Sequence, residues 1–283
     1  MVSRAANNDG FLFYSMRKLL ILLLLPTLLS GCSEFNKALK STDADYKLEV
    51  AEKYIAKESF DRAIPLLEEL IVITRGTEKS EKVNYLHAKA TWGMKDYTLA
   101  AYYLANFVRT FPKSQYAEEC AFLSAYCQYQ NSPTYELDQT DTRNAMDQMQ
   151  LFLVRYPTST LKDSCNTLID AMRTKLEVKS FHGAQQYFKM RNYRAASVAF
   201  KDFNREWPNS KYREDAMFFI LRSDVELALN SVESKKLERL KEAIKTYHNF
   251  ADAFPQSVLL PDADKLHESL EAALAQETRT STP

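Results

Sequence analysis

Glycine is scarce in this chain, five residues in 283, and only Gly76, Gly93 and Gly183 lie beyond position 31. That excludes a fold built on many tight β-turns and favours helices joined by short loops. An excess of one charge is also missing, since 37 basic residues meet 37 acidic ones. Without a basic surplus there are too few cations to displace counterions from a phosphate backbone, so no nucleic-acid partner is expected. Cysteine is rare as well, and the three that follow Cys32 are odd in number, which argues against a disulfide framework. Cys120 and Cys127 stand seven apart, about 10 Å along one helix, beyond bridging reach.

Groups that carry chemistry are sparse too. His87, His182, His248 and His267 are scattered along the chain without zinc-ligand spacing. There is no Gly-x-Ser-x-Gly turn and no phosphate-cradling glycine loop. Acidic pairs such as Glu68-Glu69 and Glu118-Glu119 read as solvated helix faces. We therefore expect no enzyme, no metal and no cofactor.

What the chain does have is a ladder. Four times an alanine is followed seven residues later by phenylalanine and twelve later by proline: Ala100/Phe107/Pro112, Ala145/Phe152/Pro157, Ala196/Phe203/Pro208 and Ala243/Phe250/Pro255. An aromatic precedes each proline (Phe111, Tyr156, Trp207, Phe254), and a serine stands two after it (Ser114, Ser159, Ser210, Ser257). The prolines recur at 45, 51 and 47 residues, the interval of a stacked helical array. One hairpin cannot bury its own apolar stripe, so neighbours must stack and function must lie on a surface.

Helical periodicity places a first hairpin at 43–57 and 61–74, and a second from Glu81 to Phe111. Small residues (Ala51, Ala88, Ala184), bend aromatics (Phe60, Tyr97, Tyr193) and alanines three later (Ala63, Ala100, Ala196) resemble tetratricopeptide repeats. The expected fold is all-α, a tetratricopeptide-repeat solenoid of about five hairpins. Leu161 to Met190 reads as one helix of about 45 Å joining two lobes, 43–160 and 161–275. Repeats three and five carry longer connections, Asn131–Asp141 and Asn230–Lys236, and Pro133 forbids helix continuity in the first. Residues 276–283 are expected to fray. Cys120 and Cys165 each lie eight after a ladder proline, where later repeats have Ala216 and Ala263, so a packing role is favoured over a bridge.

The amino terminus reads as a signal peptide ending at residue 31, with Arg17-Lys18 before an apolar run from Leu19 to Leu29 that is too short to span a bilayer. Residues 1–15 fit no part of it and suggest an upstream start-site artefact. Leu29-Ser30-Gly31-Cys32 resembles a bacterial lipobox, which would put a lipid such as palmitate on Cys32 and leave 32–42 as a polar tether. Removing residues 1–31 takes away Arg4, Arg17, Lys18 and Asp9, which shifts the formal charge from 0 to −2.

In such an array the first helix of each hairpin lines the concave side. That register selects Leu48, Glu52 and Ile55, then Tyr85, Lys89 and Trp92, then Phe122, Tyr126 and Tyr129. A tyrosine-rich groove suits an extended peptide. Tyr54, Phe107, Phe152, Phe203 and Phe250 are expected in the core instead.

The stretch Ser132-Pro133-Thr134-Tyr135-Glu136-Leu137-Asp138-Gln139-Thr140-Asp141, with the lipobox, the ladder and the Arg191-Asn192-Tyr193-Arg194-Ala195-Ala196 bend, is similar to the BamD family of outer-membrane β-barrel assembly lipoproteins. The resemblance implies a non-enzymatic scaffold, lipid-anchored in the outer membrane and facing the periplasm. Its expected partners are unfolded outer-membrane protein clients, a BamA-like barrel subunit and other assembly lipoproteins. Two rival readings remain at this level: a tetratricopeptide lipoprotein serving the cell wall, division or a secretion pore, and a glycan-binding uptake lipoprotein.

Overall fold

The computed structural model describes residues 34–280, so the expected signal peptide, Cys32 and residues 281–283 lie outside the described residues. Every regular element among the described residues is a helix. A short helix, α1 (34–40), precedes five hairpins and a closing helix. The hairpins are α2 (Ala44–Ala56) with α3 (Phe60–Ile73), and α4 (Lys79–Gly93) with α5 (Tyr97–Thr110). Next come α6 (Ala117–Asn131) with α7 (Thr140–Arg155), and α8 (Lys162–Lys189) with α9 (Tyr193–Glu206). Finally α10 (Arg213–Leu229) pairs with α11 (Glu233–Ala253), and α12 (Leu260–Thr280) closes the chain. This is the all-α array of tetratricopeptide-like hairpins. The 28 residues of α8 make a helix about 42 Å long.

The bends inside the hairpins follow from a few residues. Glu58, Lys95 and Arg191 take the left-handed conformation (φ 55°, 61° and 58°), which ends the first helix without glycine. The next residue then starts the second helix. Asp96 accepts from the Leu99 amide at 3.0 Å and Asn192 from the Ala195 amide at 3.3 Å.

The ladder is the turn that joins one hairpin to the next. A residue before proline is pushed toward extended backbone, and Phe111, Trp207 and Phe254 all leave the helix there, with ψ of 62°, 64° and 63°. The aromatic ring folds back on the ladder phenylalanine four residues earlier: Phe107–Phe111 and Phe152–Tyr156 lie 5.2 Å apart, and Phe250–Phe254 5.8 Å. The ladder serine then caps the start of the next helix, taking the amides of Tyr116, Leu161, Tyr212 and Leu259 at 2.9–3.1 Å. At three turns its hydroxyl also donates to a glutamate on the preceding first helix: Ser114 to Glu81 at 2.6 Å, Ser257 to Glu214 at 2.5 Å, and Ser210 to Glu177.

The chain divides into two compact units. Unit one holds residues up to Ser132 and Thr140–Cys165; unit two holds Pro133–Gln139 and the chain from Asn166 on. In unit one, Val50, Leu66, Leu67 and Leu70 form one buried cluster, and Leu104, Phe107, Cys120 and Cys127 another. Gly93 leaves room for the Phe60 ring, which a Cβ there would meet at 2.4 Å and displace. In unit two, Phe181 packs edge-on against Phe200 and Phe203, at 5.6 and 5.5 Å. Leu221, Leu240, Phe250 and Leu270 build its other cluster. The five aromatics expected in the core are buried there. Cys120, Cys127 and Cys165 are free and buried, as their packing role requires.

Four segments differ from expectation. The part of the tether that is described, 34–40, is helical and packed: Ala38 is fully buried, Phe35 meets Tyr54 edge-on at 6.1 Å, and the Leu39 carbonyl accepts from Lys47 at 3.3 Å. The tail from 276 continues as helix to Thr280, held by Lys236 against the buried Glu277 at 2.7 Å. The connection expected at 230–236 is short, since α11 begins at Glu233 once Val232 turns extended.

The insert expected inside the first lobe groups with unit two instead. Lys179 of α8 donates to the carbonyls of Leu137 at 2.8 Å and Tyr135 at 3.1 Å, while the Tyr135 ring stacks on His182 at 5.1 Å. Gln139, itself buried, closes the loop on the Thr134 and Leu137 carbonyls.

His87 is 3 % exposed, its ring against Tyr103 at 4.5 Å. Burial lowers its pKa below the ordinary 6.5, opposed by Glu68. Below that ordinary value the unfolded chain takes a proton that the folded one resists, so stability falls with pH. Chemical-denaturation midpoints are expected to drop between pH 7 and pH 5, and His87→Leu should flatten that drop; an unchanged slope would contradict it.

Candidate functional site

The first helices of unit one are joined by polar rungs. Lys82 pairs with Glu52 and Lys79 with Asp45, linking α4 to α2. Between α4 and α6 a single carboxylate does the linking: Glu119 accepts from the Tyr85 hydroxyl at 2.8 Å and from Lys89 at 2.6 Å. The Lys89 ammonium lies 5.0 Å from the centre of the Trp92 ring, within cation–π range.

Tyr85, Lys89 and Trp92 meet because i, i+4 and i+7 share one helix face. The Tyr85 ring stacks on Tyr116 at 4.0 Å and 12°, so much of it is committed to the α4–α6 seam. On α6, Phe122 stacks with Tyr126 at 6.1 Å, Tyr126 meets Tyr129 at 6.0 Å, and Phe122 also touches Phe152 edge-on at 5.8 Å. Leu48 and Ile55 are half-buried in a different cluster, beside Phe60 and Leu86. The selected residues thus form two groups: an aliphatic one around α2, and an aromatic one on α4 and α6.

The titration behaviour of this face is set by burial. Tyr85 has its pKa raised, first by desolvation and then by the hydrogen bond to Glu119, so it stays a neutral donor. Burial pushes the Cys120 and Cys127 thiols up to about 12 and Cys165 to about 11, which leaves all three poor nucleophiles. The Trp92 indole nitrogen is buried without a partner. No group of three or more His, Cys, Asp or Glu suited to a metal ion occurs among the described residues. No helix among them is long and apolar enough to cross a membrane.

Glu119 is the residue that sequence reasoning missed. Read as half of a solvated acidic pair, it is instead the acceptor for two side chains of the neighbouring repeat. Its signal was present as a tyrosine and a lysine four apart on α4, facing an acid in the first turn of α6. Glu119→Gln keeps the shape and removes the charge, with both donors partly exposed. The expected loss is about 0.5–1 kcal/mol by urea unfolding, against none for Glu118→Gln; equal effects would remove the special role of Glu119.

A family model described as YfiO, outer membrane lipoprotein, matches residues 41–240. A protein of Aquifex aeolicus (strain VF5), named as outer membrane protein assembly factor BamD, is 30 % identical over 141 residues, 46 % of this chain and 44 % of that one. The match thus spans less than half of that relative. Among solved structures, the TPR2AB-domain:pHSP90 complex of yeast Sti1 is matched over 81 % of this chain and 98 % of that chain. Its TM-score is 0.40 at 13 % identity, too distant to bear on function. With the family match running from just before α2 into α11, the chain belongs to the YfiO family of outer membrane lipoproteins.

Proposed function

We propose that this chain is a non-enzymatic scaffold of outer-membrane protein assembly, anchored by a lipid on Cys32 and facing the periplasm. The observation that carries the reading is the family match over residues 41–240. In this reading the repeats of 43–160 receive unfolded β-barrel clients, and those of 161–275 dock a BamA-like barrel subunit, with other assembly lipoproteins joining. The anchor and the division of labour rest on the lipobox pattern and on the family resemblance.

The face built by Tyr85, Lys89, Trp92, Phe122 and Tyr126 supports client capture on chemical grounds. A strand destined for a barrel wall alternates apolar and polar side chains. Aromatic rings take its apolar residues, and Lys89, with protons beyond the one given to Glu119, can meet backbone carbonyls together with the Tyr126 hydroxyl. Leu48 and Ile55 extend the apolar surface on α2. An unfolded segment loses conformational freedom when it docks, so capture is modest and release easy. That suits a handover.

The test is binding of a fluorescent peptide from the carboxy-terminal strand of an outer-membrane barrel to the purified protein. Tyr85→Ala/Trp92→Ala should weaken it about tenfold, equivalent to about 1.4 kcal/mol, while co-purification with the barrel subunit persists. Tyr85→Phe separates the loss of the ring from the loss of the Glu119 bond. Unchanged peptide affinity in the double variant would remove this assignment.

A further inference from the structure

Unit one contains a notch walled mainly by its second helices, with part of the first helix α6 in its floor. It has a volume of about 310 Å³ between α5, α6 and α7, floored by Val108, Ala121 and Phe152. Leu151 stands 57 % exposed at its lip. Two cations edge it, Arg109 and Arg155, and no carboxylate lines it. Arg109 bonds only neutral Asn106 on its own helix, at 2.6 Å, and Arg155 lies over the Tyr156 ring at 5.7 Å. The Tyr156 hydroxyl in the wall is buried without a partner.

Unit two supplies an internal comparison. Counting from the ladder alanines and prolines, its smaller notch of about 220 Å³ is built from equivalent positions, with Lys201, Asn204 and Met217 where unit one has Ala105, Val108 and Ala121. In that repeat the cations meet acids of their own chain, and the notch itself is lined by a carboxylate, Glu242. Lys201 reaches the buried Asp224 at 3.3 Å, Thr246 donates to the same carboxylate at 2.9 Å, and Arg205 pairs with Asp202 at 2.8 Å. In unit one the positions of Asp202 and Asp224 are Asn106 and Gln128, and Arg205 corresponds to Arg109. Asp202, the acid that pairs with Arg205, is therefore replaced by neutral Asn106 in unit one while its arginine remains as Arg109. Asp224 is lost together with its partner Lys201, and Arg155 is a cation added where unit two has Ala253.

We propose that this notch is a second binding site, which takes a peptide segment of a partner protein in which a large apolar side chain stands beside an acidic one. The apolar side chain enters between Val108 and Phe152, and the carboxylate meets Arg109 and Arg155 at the rim. The notch lies at the small end of the size range for binding pockets, room for one large side chain. Two guanidinium groups at its rim can bind a carboxylate through charge-assisted hydrogen bonds.

The test uses the full-length protein and short fluorescein-labelled peptides with amidated carboxy termini, one with a central Leu-Asp pair and one with Leu-Asn. The Leu-Asp peptide should bind at least about tenfold more tightly, and added salt should erode the difference. Arg109→Gln/Arg155→Gln should abolish the preference. So should Asn106→Asp, which restores the internal acid of unit two and leaves both arginines in place. All of these changes are at half-buried or exposed side chains, so folding is preserved. Equal binding of the two peptides, or an Asn106→Asp protein that still prefers Leu-Asp, would overturn the proposal. A peptide that binds only through a free carboxy terminus would overturn it too. Tyr85→Ala/Trp92→Ala leaves this notch intact, so its result and that of client capture are read separately.

Discussion

A hairpin of two short helices has one apolar stripe too many, and in this protein the serine of the aromatic-Pro-x-Ser turn settles how that stripe is covered. Its oxygen caps the helix that follows, and its hydroxyl reaches back to a glutamate one repeat earlier, as in Ser114–Glu81, Ser257–Glu214 and Ser210–Glu177. The proline fixes where the second helix stops, and the aromatic before it folds onto the ladder phenylalanine. With the stop, the cap and the rung combined in four residues, successive first helices are held side by side in one register. Stability then accumulates over neighbouring pairs, as in other repeat arrays.

The surface chemistry inherits that register. Glu119 can hold both Tyr85 and Lys89 because the first turn of α6 is presented beside the middle of α4, and Lys89 is thereby held over Trp92. The same repetition lets position be compared with position. Where unit two uses Asp202 to pair Arg205, unit one has neutral Asn106 and leaves Arg109, joined at the same notch by Arg155, for something else. Repeats make departures from the pattern readable as function.

Much of the fold was legible from spacing alone. The alanine, phenylalanine and proline of the ladder are read at fixed intervals because each answers a local demand: close approach, burial, and a helix stop. The core positions of Phe107, Phe152, Phe203 and Phe250 follow directly. What escaped depended on contacts made far along the chain. The segment 34–40 looks polar, yet α1 buries Ala38 because Lys47 offers its carbonyl end a donor. The 133–139 insert has too many turn formers for a helix, and its order comes from Lys179, more than forty residues away. Glu119 resembled any surface acid, since composition cannot distinguish a solvated carboxylate from one placed against a neighbouring repeat. Trp92, Phe122 and Tyr126 were found by register, whereas their division from Leu48 and Ile55 was visible only once packing was known.

The register rests on the turn serine, so the decisive measurement is a double-mutant cycle on Ser114→Ala and Glu81→Gln, read by urea unfolding of the full-length protein. If the hydroxyl ties α6 to α4 through that carboxylate, the two substitutions are coupled by about 1 kcal/mol, and the second costs little once the first is made. Strictly additive losses would show that the serine acts as a local cap alone, and that the stacking of these hairpins has another source.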